Sequence, residues 1–301
     1  MADPLVAGID AGGTSWKIVI ARGPDAILAR HVAPTRTPEE TIGETAAWLE
    51  ARRSEGFAFD AVGLASFGPV DRDPASPRYG EILDTPKPGW TGANARATLE
   101  RRLGAPCVLD TDVNGALLAE TSWGGARGCA DAVYITIGTG VGGGVMVAGR
   151  LAGAPFHPEL GHARLRRSPD DIAAFPGACP RHGDCVEGLV AAPAIRARWG
   201  EEPHALSDDH PAWEETSVML ARLSAALTYT IAPQRIVLGG GLMQRAGLIE
   251  RVRRAFETET DGYGLRPEAR TAASYLVTPG LGGDAGAFGG VVLAQTALAA
   301  A

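Results

Sequence analysis

The stretch 132–150, AVYITIGTGVGGGVMVAGR, decides how the whole chain is read. Gly138, Gly140 and Gly143 follow an apolar, strand-like run with the spacing G-x-G-x-x-G, a pattern that marks a dinucleotide-binding turn when a helix comes next. The helix is essential there, because the pyrophosphate sits on its N-terminus. Here the glycines run into Val145, Met146 and Val147, short and partly β-branched, so the turn returns as a strand. Glu159 lies near the distance where a ribose-binding acid would fall, which shows how easily the pattern misleads. Two readings stand once the helix is gone. One is a glycine hairpin with no ligand. The preferred one is a hairpin whose backbone amides and Thr139 hydroxyl meet phosphate oxygens at short range, with Thr136, Gly138, Thr139, Gly140 and Gly142 as its contacts.

A similar hairpin opens the chain at 5–21, LVAGIDAGGTSWKIVIA. Two strand, Gly/Thr turn, strand units about 125 residues apart point to a duplicated plan with one phosphate-cradling turn in each lobe. Asp10 at the strand end suits Mg²⁺ or a metal-bound water, and Gly12, Gly13 and Thr14 let backbone donors face a phosphate. Lys17 either supplies a charge or is a solvated side chain on a strand.

Composition narrows the classes. The chain has 301 residues, enough for two cores, with 45% hydrophobic and 21% charged residues. Its 40 glycines fall in clusters, as expected where backbone turns sharply or approaches a ligand. A formal charge of −7 argues against nucleic acid and anionic membrane as partners. There is no apolar run of about 18 residues to span a bilayer and no basic, apolar leader, so export is not expected. Four cysteines are too few for a disulfide scaffold, and a reducing cytoplasm fits. Helices are expected over 38–56, 94–104, 113–125 and 212–233, with strands over 61–68, 106–112 and 235–241. The segment 151–187 reads as irregular, and the tail reads as a glycine-rich turn into a terminal helix.

Two further segments carry chemistry. In CVLDTDVNGALLAE, Asp110 and Asp112 stand where a buried strand becomes a helix. An aspartate there either caps the helix or takes a proton from an attacking hydroxyl. In CPRHGDC, Cys179, His182 and Cys185 have the short spacing that suits tetrahedral zinc, which needs a fourth ligand. Trp90 either offers an apolar face to a ligand or packs between elements. Cys107 and Cys129 read as buried apolar thiols, and His31, His204 and His210 carry no functional reading.

The motifs GIDAGGTSWK, DTDVNGALLAE, TIGTGVGGG, HPELGH, CPRHGDCVEG, IVLGGG and LGGDAGAFGG, in this order across nearly the whole chain, resemble the signatures of the ROK family of sugar kinases. TPKPGW, HPELGH and the cysteine-histidine cluster look most like its bacterial fructokinase branch. The resemblance implies an α/β, two-lobed actin/hexokinase-like fold, a duplicated ribonuclease H-like plan with an active-site cleft between lobes. The smaller lobe would hold 1–112 plus about 286–301, and the larger 113–285. It implies ATP with Mg²⁺, phosphoryl transfer to a hexose and Asp112 as general base. Asn114, Gly68, Glu159 and Glu187 become sugar contacts, and Gly239 and Gly240 lie near the adenosine. His162 becomes the fourth ligand of a structural zinc, with His157 as its competitor. The family cluster usually has three cysteines and one histidine, so His182 departs from it. D-fructose to fructose 6-phosphate is the expected reaction. Glucose, mannose or an amino sugar are alternatives, and so is a non-catalytic sugar-sensing regulator, which would carry an added DNA-binding region. A homodimer is common in such families, though no spacing in the sequence shows it.

Overall fold

Alternating apolar residues broken by glycine make the chain open as a meander. In the computed structural model, which describes residues 3–300, β1 (Val6–Ala11) pairs antiparallel with β2 (Ser15–Ala21), and β2 with β3 (Ile27–Pro34). Helix α1 (Pro38–Ser54) begins with a Thr37/Glu40 capping box and ends with Arg52 and Arg53, so orphan amides and the helix dipole are both answered. β4 (Val62–Ser66) is buried throughout. α2 (Ala95–Leu103) is capped by the Asn94 side chain and closed by Gly104 at φ 57°, a left-handed conformation that glycine adopts without penalty. β5 (Cys107–Thr111) then runs directly into α3 (Asp112–Ser122). β4 and β5 add to β1 in parallel, giving the order β3-β2-β1-β4-β5.

The second sheet repeats this plan strand for strand. β6 (Ala132–Ile137) and β7 (Val141–Val147) form its hairpin, and β8 (Arg150–Leu151) is its third strand. The intervening segment supplies α4 (Pro169–Ala174), α5 (Val186–Val190), α6 (Ala192–Trp199) and α7 (Pro211–Ile231). α4 falls inside the stretch read as irregular; a Ser168/Asp171 capping box and Pro169 start it. On α7, Trp213, Leu220, Leu223 and Leu227 are buried in the core under the sheet, as their spacing predicts, and Ile231 is half-buried. β9 (Arg235–Gly239), α8 (Leu248–Thr260), α9 (Ala272–Tyr275) and β10 (Leu276–Val277) complete the order β10-β9-β6-β7-β8, with β9 and β10 parallel to β6.

The last helix, α10 (Ala285–Ala300), returns to the first sheet. The turn Gly282–Asp284 leads into it, as the tail's composition predicts, and the helix's own glycines form a seam. A Cβ on Gly8 of β1 would stand 2.3 Å from the Ala287 carbonyl, and one on Gly63 of β4 only 1.8 Å from that of Gly290. Gly289 meets Gly115 of α3 in the same way, at 2.2 Å. Helix and strands thus touch backbone to backbone, closer than any side chain permits. By contacts, one unit gathers residues up to 124, 153–157 and from 281 onward; the other gathers 125–152 and 158–280. None of the described helices is long and apolar enough to cross a membrane.

Candidate active site

In the first unit the β1–β2 turn is held from outside its own hairpin. Gly12 donates its amide to the Ser15 carbonyl (3.2 Å), Thr35 bonds the Gly12 carbonyl through Oγ1 (2.8 Å) and the Thr14 carbonyl through its amide (2.9 Å), and Lys87 donates to the Gly13 carbonyl. Gly13 and Thr14 are exposed. Lys17 donates to the Gly283 carbonyl just before α10, so its charge is bound to the chain as well as facing water. The carboxyl of Asp10 lies against the first turn of α10, where a Cβ on Gly286 would come within 2.5 Å of its Cγ. Desolvation, and then the charge of Asp112, push the Asp10 carboxyl up to about 7; Lys17 pulls it down and Asp284 adds to the rise.

The β5–α3 junction is the most ordered polar site of this unit. Thr111 caps α3 through its hydroxyl to the Asn114 amide (3.2 Å), and Asp112 stands first in the helix, its Oδ1 accepting from the Val113 amide at 2.8 Å. The N-cap is therefore Thr111, and Asp112 adds its negative charge to the first turn of the helix. Asp110, two residues earlier, forms a buried ion pair with Arg72 at 2.7 Å, the two side chains being 9% and 6% exposed. Its other oxygen accepts from the Thr111 amide (2.6 Å) and from Asn114 Nδ2 (2.8 Å). Asn114 is wholly buried, and its Oδ1 has no hydrogen-bond partner among the described residues, so its amide serves the junction itself. Arg72 continues to the Phe156 carbonyl at 2.7 Å. Gly68 lies in the loop after β4. Trp90 is a packing residue: it is 1% exposed, stacks near Trp16 and Phe67, and donates its indole N–H to the Arg36 carbonyl.

In the second unit the turn 138–140 links β6 to β7, and Thr136 pairs with Gly142 across the hairpin. Gly138 donates to the Gly140 carbonyl (2.9 Å) and accepts from the Ala192 amide at the start of α6 (2.8 Å). Glu187 on α5 accepts from the Val141 amide at 3.0 Å, and its carboxylate oxygen lies 2.8 Å from where a Gly140 Cβ would be. Thr139 is exposed. A cavity of about 550 Å³ opens beside this turn, lined by Gly138, Thr139, Ala192, Trp213, Gly241 and Leu242 among others. Gly239 ends β9 and Gly240 follows it, one residue before the lining residue Gly241; Gly240 has φ 91°, and a Cβ on it would strike the Ile137 carbonyl at 2.3 Å. His204, given no role from sequence, also lines this cavity.

The cysteine-histidine loop folds as its spacing predicts. Cys179 and Gly183 exchange both backbone hydrogen bonds (3.1 and 2.9 Å), with Gly183 at φ 64° reversing the chain. His162, in the 3-10 turn Leu160–His162, joins Cys179, His182 and Cys185, all four donor atoms lying within 4.8 Å of one another. His162 Nδ1 is 3.3 Å from His182 Nδ1, 3.8 Å from Cys179 Sγ and 3.6 Å from Cys185 Sγ. A tetrahedral zinc with bonds of about 2.3 Å to sulfur and about 2.0 Å to nitrogen spaces its ligands by roughly 3.3–3.8 Å. The donor set and its spacing therefore fit that ion, with His162 rather than His157 as the fourth member of the group. Glu159 precedes the 3-10 turn and is exposed; Glu187 begins α5 two residues after Cys185.

Arg72, Lys87 and Glu120 escape the sequence reading, though each lies in or beside a quoted motif. Buried Glu120 accepts from the Leu281 amide at 3.1 Å and so fastens the segment leading to α10. Cys107 is a buried thiol, pushed up to about 12 by desolvation, whereas Cys129 is only half-buried.

With this geometry in hand, comparison with known proteins is specific. The chain is similar to the fructokinase of Zymomonas mobilis, 40% identical over 295 residues that cover 96% of each chain. It is similar in structure to the ROK hexokinase from Thermus thermophilus, with 27% identity, a TM-score of 0.81 and coverage of 98% of this chain and 99% of that one. A ROK family glucokinase from Streptomyces griseus, solved in complex with glucose and AMPPNP, superposes with a TM-score of 0.75 at 25% identity, covering 97% and 99%. The two repeated sheets are thus those of the two-lobed actin/hexokinase-like fold expected from the motifs. Residues 6–297 match the ROK family, and the chain belongs to it.

Proposed function

We propose that the chain is an ATP-dependent hexose kinase that converts D-fructose to fructose 6-phosphate. The observation that carries this reading is Asp112 at the head of α3, beside an Asp110 fixed by Arg72 and Asn114, in a chain 40% identical to a fructokinase along nearly its whole length. Asp112 accepts the proton that the sugar hydroxyl loses as the phosphoryl group arrives, so the attacking oxygen gains nucleophilicity only when the donor is in place.

The turn 138–140 and its Thr139 hydroxyl hold phosphate oxygens, and the 550 Å³ cavity beside them receives the nucleoside, next to Gly239 and Gly240. Gly12, Gly13 and Thr14 offer the second set of phosphate donors, and Lys17 adds charge. Mg²⁺, when bound with the nucleotide, offsets phosphate charge, and Asp10 is the residue proposed to hold it. Glu159, Glu187 and Gly68 are the proposed sugar contacts, the acids selecting hydroxyl positions through charge-assisted hydrogen bonds. Asn114, whose Nδ2 is held by Asp110, is the fourth proposed sugar contact. His162, Cys179, His182 and Cys185 are the proposed ligands of a structural zinc; with all four positions taken by protein, it would tie the Glu159 segment to the Glu187 segment rather than act on substrate. All four cysteines are free thiols, which fits a cytoplasmic setting.

The test is ADP release with a panel of hexoses under MgATP. Fructose is expected to give the highest kcat/KM. A strong preference for glucose, mannose or N-acetylated hexosamines would move the substrate within the same family, and no ADP release with any sugar would refute the kinase reading.

A further inference from the structure

The nucleoside cavity has one wall that is not built by secondary structure. Residues 201–210, between α6 and α7, form no helix or strand, yet Glu202, Pro203, His204 and Asp208 from this loop all line the cavity. An irregular segment of this kind is expected to be loose, and here side chains from outside it fasten it: Arg196 pairs with Glu202, Arg251 donates to the Asp208 carbonyl at 3.2 Å, and Arg245, itself a lining residue of the cavity, makes the most bonds. Arg245, just after β9 and its glycines, sends Nη2 to two loop carbonyls, Pro203 and Leu206, each at 2.9 Å, and pairs Nη1 with the Asp208 carboxylate. Its guanidinium carbon lies over the Trp213 ring, 4.1 Å from the centroid, and Trp213 in turn donates its indole N–H to the Ser207 carbonyl at 2.8 Å. Trp213 is 1% exposed and Arg245 side-chain atoms 16%, so the pair forms a fixed plate beneath the loop.

We propose that Arg245 is a positioning residue for the phosphoryl donor: it holds the 201–210 loop as a preformed wall of the nucleoside cavity and so sets the affinity for the nucleotide. This rests on the reading of the cavity as the nucleoside site. A planar guanidinium meets two carbonyls, a carboxylate and a ring face at once, which a lysine ammonium cannot do. Without the plate, the loop must be ordered each time nucleotide binds, and that cost falls on binding alone. The wall is equally present in ground and transition states, so its loss raises KM and leaves kcat in place.

The experiment compares the full-length protein with Arg245→Met and Arg245→Lys, by steady-state kinetics with MgATP and fructose and by calorimetric titration with MgADP. In Arg245→Met the KM for ATP is expected to rise about tenfold, and MgADP affinity to fall by a similar factor, while kcat and the KM for fructose stay within about twofold. Arg245→Lys keeps a charge for Asp208 and protects folding, yet is expected to recover less than half of the lost affinity on a logarithmic scale. If Arg245→Met does not fold, Arg245→Lys carries the test. Unchanged KM for ATP and unchanged MgADP affinity in Arg245→Lys would overturn the proposal, whatever happens to the melting temperature, and so would a fall in kcat alone. Wild-type protein that binds no MgADP would overturn the kinase reading and this inference together.

Discussion

The two sheets share one topology, and the difference between their hairpins shows what duplication permits. In the first, the penultimate residue of β1 is Asp10, an acid set against the start of α10. In the second, β6 (AVYITI) carries no acid, the turn residue Gly138 is bonded through backbone atoms, and the acid near that turn, Glu187, comes from a helix instead. The outer parallel strands diverge as well: β5 is five residues long and delivers Asp110 and Asp112, whereas β10 has two residues and carries no acid. One scaffold thus supplies charge and a base in one copy, and bare amides, a cavity and a metal-ligating loop in the other.

This division can be broken at its strongest point first. Asp112→Asn keeps an oxygen for the Val113 amide, so the fold should survive, while kcat should fall at least about 10²-fold; near-normal turnover in the purified variant would remove Asp112 from the role of base. The second copy answers to its loop. Elemental analysis of wild-type protein is expected to find about one zinc per chain, and Cys185→Ser should lose it, with a fall in Tm of roughly 5 °C or more. Active, stable protein without zinc would refute the site.

Two strand glycines at different places give a finer comparison. Gly63 is second in β4, opposite Gly8, and Gly239 is last in β9, opposite Thr136. An alanine Cβ at 63 meets backbone, the Gly290 carbonyl at 1.8 Å; one at 239 meets side-chain atoms, Tyr134 Oη at 2.5 Å and Pro279 Cγ at 2.8 Å. Side chains can yield where backbone cannot. Gly63→Ala should therefore cost about 3 kcal/mol or more in urea unfolding and Gly239→Ala about 1–2 kcal/mol, with the latter also raising KM for ATP. Equal costs would mean that α10 gives way as easily as a tyrosine.

A further effect concerns Asp10 and depends on pH. Its carboxyl ionises near 3.8 in the unfolded chain and near 7 in the folded one. Between those values the folded chain binds more protons, so this residue's contribution to stability falls as pH rises through that window. Asp10→Asn cannot ionise. In metal-free buffer, melting curves should coincide near the bottom of the window and show the variant more stable above its top. A variant no more stable above neutrality would mean that the carboxyl is not desolvated as described.

What could be read from the sequence was local. The hairpins announce themselves through β-branched residues beside glycines, α1 and α2 through their caps, and the C-x₂-H-x₂-C knuckle through spacing alone. Arg72, Lys87 and Arg245 could not be found that way, because each is defined by a partner far along the chain: Asp110, Gly13, and the loop carbonyls of Pro203 and Leu206. Isolated arginines and lysines look like solvated surface. The turn and terminal helix of the tail are legible, but the role of the α10 glycines is not. Glycine is a poor helix former, and Gly8, Gly63 and Gly115, which leave the grooves that AGAFGG fills, lie far away in sequence. Asn114 shows the same limit at one residue, since nothing nearby in sequence reveals that it is wholly buried.

That seam has a consequence for how the protein is made. The strands β1 and β4 and the helix α3 leave the ribosome before the second unit, but the backbone that must lie in their glycine-lined groove, α10, comes after that unit. Most of the second unit lies contiguously between, and its hairpin, parallel strands and core are all translated before α10 emerges. Domains usually fold in the order of their synthesis. Here the earlier-born unit must wait with its groove uncovered while the later one matures, so the order of completion runs against the order of translation.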